Sequence, residues 1–174
     1  GKNSIRTYLL GFVSFFLSGI TAHSQTDSIQ KILGKETDPA QKIELLIRSC
    51  IERAGKQLSV SLAREAYRLS LSINNDTLSG KAAAQLAVAI FNMGRVDSVE
   101  YYQDIALAKF TRAEDDNALF NLLSTRSKVL MRQKRHKEVL EINKKLLDLG
   151  EKMNSSDKIA RAYVRMAVLF DDIN

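Results

Sequence analysis

The feature that most constrains this chain is a stripe of apolar residues that returns every forty positions. Ile43, Leu46, Ile47 and Cys50 are spaced 3, 1 and 3, which is one face of an amphipathic helix. Forty residues on stand Ala83, Leu86, Ala87 and Ile90; a second step gives Leu123, Arg126, Ser127 and Leu130; a third gives Tyr163, Met166, Ala167 and Phe170. Only Arg126 and Ser127 break the pattern, since Tyr163 can pack its ring. A repeat of this length is a supersecondary unit that buries its apolar face only against its neighbours. The chain has one Pro in 174 residues, where average usage gives about nine, so long helices are favoured over a loop-rich or all-β chain.

Each of the first three stripe helices is followed by a second amphipathic segment. The first is LSVSLAREAYRLSLSI, with Leu62, Ala63, Ala66, Tyr67 and Leu69 inward. The second follows Gly94, with Asp97 as N-cap, Glu100 completing a capping box, and Tyr102, Ile105 and Ala106 on one face. The third places Val139, Ile142, Leu146 and Leu149 inward and ends at Gly150 as a C-cap. The connections NNDTLSG, RAEDDN and EKMNSSD are short and polar, and Asp38 before Pro39 is a favoured helix start. The expected architecture is all-α: a superhelix, or solenoid, of antiparallel helix pairs over residues 39–174, preceded by a short helix and connection at 25–38. The sequence stops at Asn174 within the fourth repeat, on an apolar helix, and the array is expected to continue.

The amino terminus carries a different signal. Lys2 and Arg6 precede an apolar run from Tyr8 to Ile20, followed by Ala22 and Ser24 two apart, the layout of a secretory signal peptide cleaved after Ser24. The run falls short of the ~20 residues that cross a bilayer comfortably. The expectation is an exported protein, periplasmic or on the extracytoplasmic face of the inner membrane, with no membrane span once the leader is cut. Removing Lys2 and Arg6 lowers the formal charge from +6 to +4, with 24 bases against 20 acids.

The second pair, KAAAQLAVAIFNMGRVDSVEYYQDIAL, resembles a tetratricopeptide repeat. Leu86 and Ala87 match the large and small pair of the first helix, Ile90 and Phe91 the aromatic position, Gly94 the turn, and Tyr102 and Ile105 the packing positions of the second helix. Val99 or Ser98 stands where the family prefers Ala, the closing Pro is absent, and the period is longer. The leader and the TDSIQKIL segment after it also resemble the exported input regions of Bacteroidetes sensor kinases and transcription regulators. This resemblance implies a protein-interaction scaffold, the sensory part of a larger signalling protein. A second expectation is the amino-terminal fragment of a sensor histidine kinase whose enzyme part lies beyond Asn174.

The composition offers little for catalysis. Nucleophilic chemistry needs a base within reach, and the two histidines lie in the leader (His23) and in a basic turn (His136). Cys50 sits on the stripe and reads as core. One Cys and one usable His cannot fill a zinc site, and no glycine-rich phosphate loop is present. No enzyme activity, cofactor or metal is expected within these residues. Asp115 with Asp116 and Asp171 with Asp172 read as caps and solvated turns. The basic run 132–137, with Arg132, Lys134, Arg135, His136 and Lys137, is the one nucleic-acid candidate. Glu138 and Glu141 interrupt it and no aromatic residues interleave, so no nucleic-acid partner is expected.

The family's binding groove is lined by the first helix of each pair. Carried over position by position, the resemblance implies a peptide groove through Arg48, Lys81, Asn121, Lys128 and Arg161, with Glu44, Ala84, Ser124, Val164 and Val168 beside them. Its cations suit an acidic or carboxylate-ended peptide.

Overall fold

The computed structural model describes residues 27–173; the expected leader, residues 1–24, lies outside them. Among the described residues every regular element is helical, with no strand. In chain order these are α1 (residues 27–33), α2 (Pro39–Glu52), α3 (Gln57–Ser70), α4 (Asp76–Asn92), α5 (Val99–Arg112), α6 (Asp116–Arg132), α7 (His136–Lys152) and α8 (Ser156–Ile173). The Asp38 side chain accepts the Gln41 N–H at 3.0 Å with Pro39 in the first turn, as the sequence implied.

Neighbouring helices run antiparallel, and ion pairs show it. Asp76 at the start of α4 meets Lys109 at the end of α5 at 2.7 Å. Forty residues after Asp76, Asp116 at the start of α6 meets Lys152 at the end of α7 at 2.8 Å. Lys134, in the turn before α7, and His136, its first residue, both reach Asp172 near the end of α8 at 2.8 Å.

The forty-residue period recurs in three dimensions. The second helices bury the same four positions each time: Ser59, Ala63, Ala66 and Ser70 in α3; Val99, Gln103, Ala106 and Phe110 in α5; Val139, Asn143, Leu146 and Gly150 in α7. Helix ends repeat as well. Gly94 and Lys134 adopt left-handed φ of 73° and 57°, and Glu114 and Asn154 adopt 52° and 49°. At each, the next N–H reaches five residues back, as in Arg95 to Ile90, Asp115 to Phe110, Arg135 to Leu130 and Ser155 to Gly150, the Schellman closure. Gly94 carries this φ without steric cost, whereas Lys134 and Glu114 do not.

The core is a series of local clusters between successive helices. Ile43, Leu46 and Cys50 of α2 pack with Leu62 and Ala66 of α3 and Leu86 and Ile90 of α4. Further along, Ala83, Ala106, Phe110 and Leu122 cluster, then Phe120, Leu123, Leu146 and Ala162, then Leu130, Val139 and Leu169. Each fully buried Leu or Phe contributes about 1.5–3 kcal/mol relative to exposure. In α8 the stripe is not covered: Tyr163 and Phe170 stay about half exposed, at 55 % and 52 %.

Several local expectations are corrected. Asp97 is not the cap of α5; a turn closing Val99 N–H on the Val96 carbonyl takes up that residue, and Ser98 stands at the N-cap without a side-chain bond. Gly80 and Gly150 are neither turn nor cap residues. Gly80 lies inside α4, where an added Cβ would stand 2.5 Å from Phe110 Cε1. Gly150 lies inside α7, 3.0 Å by the same measure from the Ile159 backbone N. Both glycines permit close approach between consecutive helices. Forty residues after Gly80 and Phe110 the same positions hold Phe120 and Gly150, so bulk and space change sides between repeats. Connections are also shorter than expected, because helices start at Asp76, Asp116 and Ser156. Asn75 and Asp115 supply the caps of α4 and α6, accepting the Leu78 and Ala118 N–H groups at 2.9 Å.

Candidate functional site

All five expected groove residues, Arg48, Lys81, Asn121, Lys128 and Arg161, are exposed. They stand on the alternate helices α2, α4, α6 and α8, and the fold brings four of them together in two clefts. Lys81 and Asn121 share a cleft of about 270 Å³ between α4 and α6, walled also by Ala84, Gln85, Val88, Leu122 and Thr125. Lys128 and Arg161 share one of about 450 Å³ between α6 and α8, with Met131, Val164, Arg165 and Val168. Arg48 lines neither cleft.

The two clefts are related by the repeat. Lys81, Asn121 and Arg161 occupy one register position, Gln85, Thr125 and Arg165 another, and Val88, Lys128 and Val168 a third. The same helical face is therefore presented at each step. Among the described residues no acidic side chain lines either cleft. In the larger one Arg165 is half-buried, and desolvation, with help from the nearby Arg161 charge, pulls its guanidinium below its ordinary pKa. Arg161 lies 5.4 Å from the Phe120 ring centroid and 3.6 Å from Asp157. An anion entering this cleft would relieve the repulsion between the two arginines. The apolar walls from Met131, Val164 and Val168 would take side chains beside it.

Among the cleft residues that the sequence did not single out are Arg165 and Gln103. Arg165 was detectable as the residue one turn beyond Arg161. Gln103 comes from α5 and lines the smaller cleft, although it is 0 % exposed. Neither its Oε1 nor its Nε2 has a hydrogen-bond partner. Its signal in the sequence is a polar residue at an inward register position, forty after Ala63 and forty before Asn143.

The basic run is arranged otherwise. Arg135 bonds Glu138 at 2.6 Å and also pairs with Glu100 of α5. Lys134 and His136 share Asp172, so that carboxyl is more than the solvated turn residue its sequence suggested. Lys134 foremost, then His136, holds Asp172 below the usual carboxylate range. Arg132 stacks over Phe91 at 4.4 Å. A third cleft, of about 410 Å³, sets Asp104, Glu138 and Glu141 beside Arg126, Lys137 and Lys145, so its charge is balanced.

Cys50 is core, 1 % exposed, with Gln85 Nε2 donating to its Sγ at 3.3 Å; burial pushes the thiol pKa up. Among the described residues no group of three or more His, Cys, Asp or Glu is placed to hold a metal ion, and no helix is long and apolar enough to cross a membrane. Comparison of the chain with protein-family models, curated proteins and solved structures returned no match.

Proposed function

We propose that this chain is a tetratricopeptide-type helical-repeat scaffold that binds an acidic protein segment along the face formed by α4, α6 and α8. The observation that carries the reading is the pair of repeat-related clefts with Lys81, Lys128, Arg161 and Arg165 in their walls and, among the described residues, no acidic lining. Cations set against apolar walls recognise carboxylates flanked by hydrophobic side chains, with charge governing specificity and on-rate. The leader-like amino terminus extends the proposal to an exported protein whose repeats form the input part of a signalling molecule. The sensor-kinase alternative assigns these residues the same role and places the chemistry elsewhere.

The test is fluorescence anisotropy of the full chain with labelled peptides of matched hydrophobicity that are acidic, neutral or basic. The acidic set should bind best, and more weakly at higher salt. Lys128→Glu with Arg161→Glu should weaken it by at least about tenfold, equivalent to 1.4 kcal/mol. Equal binding of all three sets, or indifference to both reversals, would refute the reading.

A further inference from the structure

We infer that the smaller cleft is a receptor for a neutral carboxamide side chain, glutamine or asparagine, carried by the bound segment. The inference rests on the peptide-binding reading above and names what one of its two clefts recognises.

Gln103 is fully buried, and both polar atoms of its amide lack a partner. A buried amide is ordinarily satisfied, and one orphaned at both ends needs an explanation, which a bound group supplies. The chain contains its own control. Forty residues on, Asn143 is equally buried, but its Oδ1 accepts the Ser127 hydroxyl at 2.8 Å and only its Nδ2 lacks a partner. The position forty before Ser127 is Ala87, which has no hydroxyl to offer Gln103. The same structural slot is thus bridged to its neighbour through one amide end in one repeat and left wholly open in the other. The open one lines a cleft.

The chemistry of the occupant follows from what Gln103 needs. Its Oε1 requires a donor and its Nε2 an acceptor, so one group satisfying both must present the two side by side. A carboxamide does so. A carboxylate only accepts, and would leave Oε1 unpaired; an ammonium only donates, and would leave Nε2 unpaired. The assignment holds whichever way the Gln103 amide is turned, because both ends are orphaned. Ile47, Val88, Phe110 and Leu122 give the cleft apolar walls for a methylene stem. Its volume of about 270 Å³ suits one side chain, being just under the roughly 300–1,000 Å³ of small-molecule sites. Lys81 and Asn121 remain exposed beside it for the neighbouring residues of the segment.

The probe is capped glutamine (N-acetyl glutamine methylamide), titrated into the ¹⁵N-labelled full chain against equally capped glutamate and methionine. The expected result is a saturable shift of the Gln103 side-chain amide signals with glutamine, and binding at least tenfold weaker for the other two. Gln103→Met should abolish the preference. Ala87→Ser, which offers Gln103 the hydroxyl that Ser127 gives Asn143, should reduce glutamine binding with Gln103 still in place. Equal response to all three probes, no response to glutamine, or a preference that survives Gln103→Met would overturn the inference; the second outcome would mean that water satisfies the amide. If Gln103→Met leaves glutamine recognition intact while charge reversal at Lys128 and Arg161 still weakens acidic peptides, only the carboxamide assignment fails. If glutamine recognition stands and charge reversal has no effect, only the acidic-segment reading fails.

Discussion

Replacing Gln103 with Met should make the protein more stable, although the residue is wholly buried and makes no exposed contact. Met is unbranched and close to Gln in length, so the swap nearly conserves volume and costs less than about 1.5 kcal/mol in repacking. Against that, the native state leaves two amide atoms unpartnered, and a buried unsatisfied polar group costs about 1–3 kcal/mol. At mid-range values the net gain is about 1 kcal/mol. For a chain of this size each kcal/mol moves Tm by roughly 2–4 °C, so the variant should melt roughly 2–4 °C higher. Ser127→Ala is the counterpart with the opposite sign. It removes the hydroxyl donor 2.8 Å from Asn143 Oδ1 and strands that acceptor on a residue 0 % exposed whose Nδ2 already lacks a partner. Losing that bond should cost about 1 kcal/mol or more. Urea denaturation followed by helical circular dichroism measures both, with an unchanged m-value confirming that the native state is compared fairly. If Gln103→Met lowered the midpoint, its amide would be satisfied in solution and the argument would fail.

Gly80→Ala places a methyl 2.5 Å from the Phe110 ring; overpacking should destabilise by about 1–3 kcal/mol, and Phe110→Leu in the same chain should recover part of it, as read by denaturant midpoints. Three carboxyls are held below their ordinary pKa, Asp76 mainly by Lys109, Glu138 mainly by Arg135 and Asp172 mainly by Lys134. Their folded values are depressed, so their contribution is complete above the ordinary carboxylate value near 4 and is lost as pH falls through the folded values. Stability should therefore drop below about pH 4, and less steeply in Asp76→Asn with Asp172→Asn; an identical acid profile would contradict this. Cys50 should resist thiol reagents in the native protein and react at once in denaturant, since burial raises its pKa and hides it; prompt native labelling would show the α2 packing to be wrong.

The stripe that organises the fold was legible because burial follows it: Ile43, Leu46, Cys50, Ala83, Leu86, Ile90, Leu123 and Leu130 are all buried. What local rules misread were residues whose roles are set by a neighbouring helix. Gly80 and Gly150 look like turn residues by type, yet each makes room for the next helix. Arg126 and Ser127, the two breaks in the stripe, are satisfied across helices by Asp104 and Asn143. The exposed groove positions could be placed on a helix face from spacing alone. Their grouping into two clefts, the exclusion of Arg48 and the entry of Gln103 from α5 depend on how far the helices rotate against one another, which no single-helix pattern encodes. In the last repeat the stripe predicts a buried face on α8 that remains half exposed, because no helix follows it among the described residues.

The central claim is that one helical face of this chain receives an acidic segment. Val164 on α8 and Tyr101 on α5 are equally exposed, at 62 % and 63 %, but only Val164 lines a cationic cleft. A photo-crosslinking residue placed at each in turn, with the same acidic peptide, compares the two surfaces at constant accessibility. The account predicts peptide adducts at position 164 that are lost with Lys128→Glu and Arg161→Glu, and little or none at position 101. Equal yields at the two sites, or adducts at 101 alone, would contradict it.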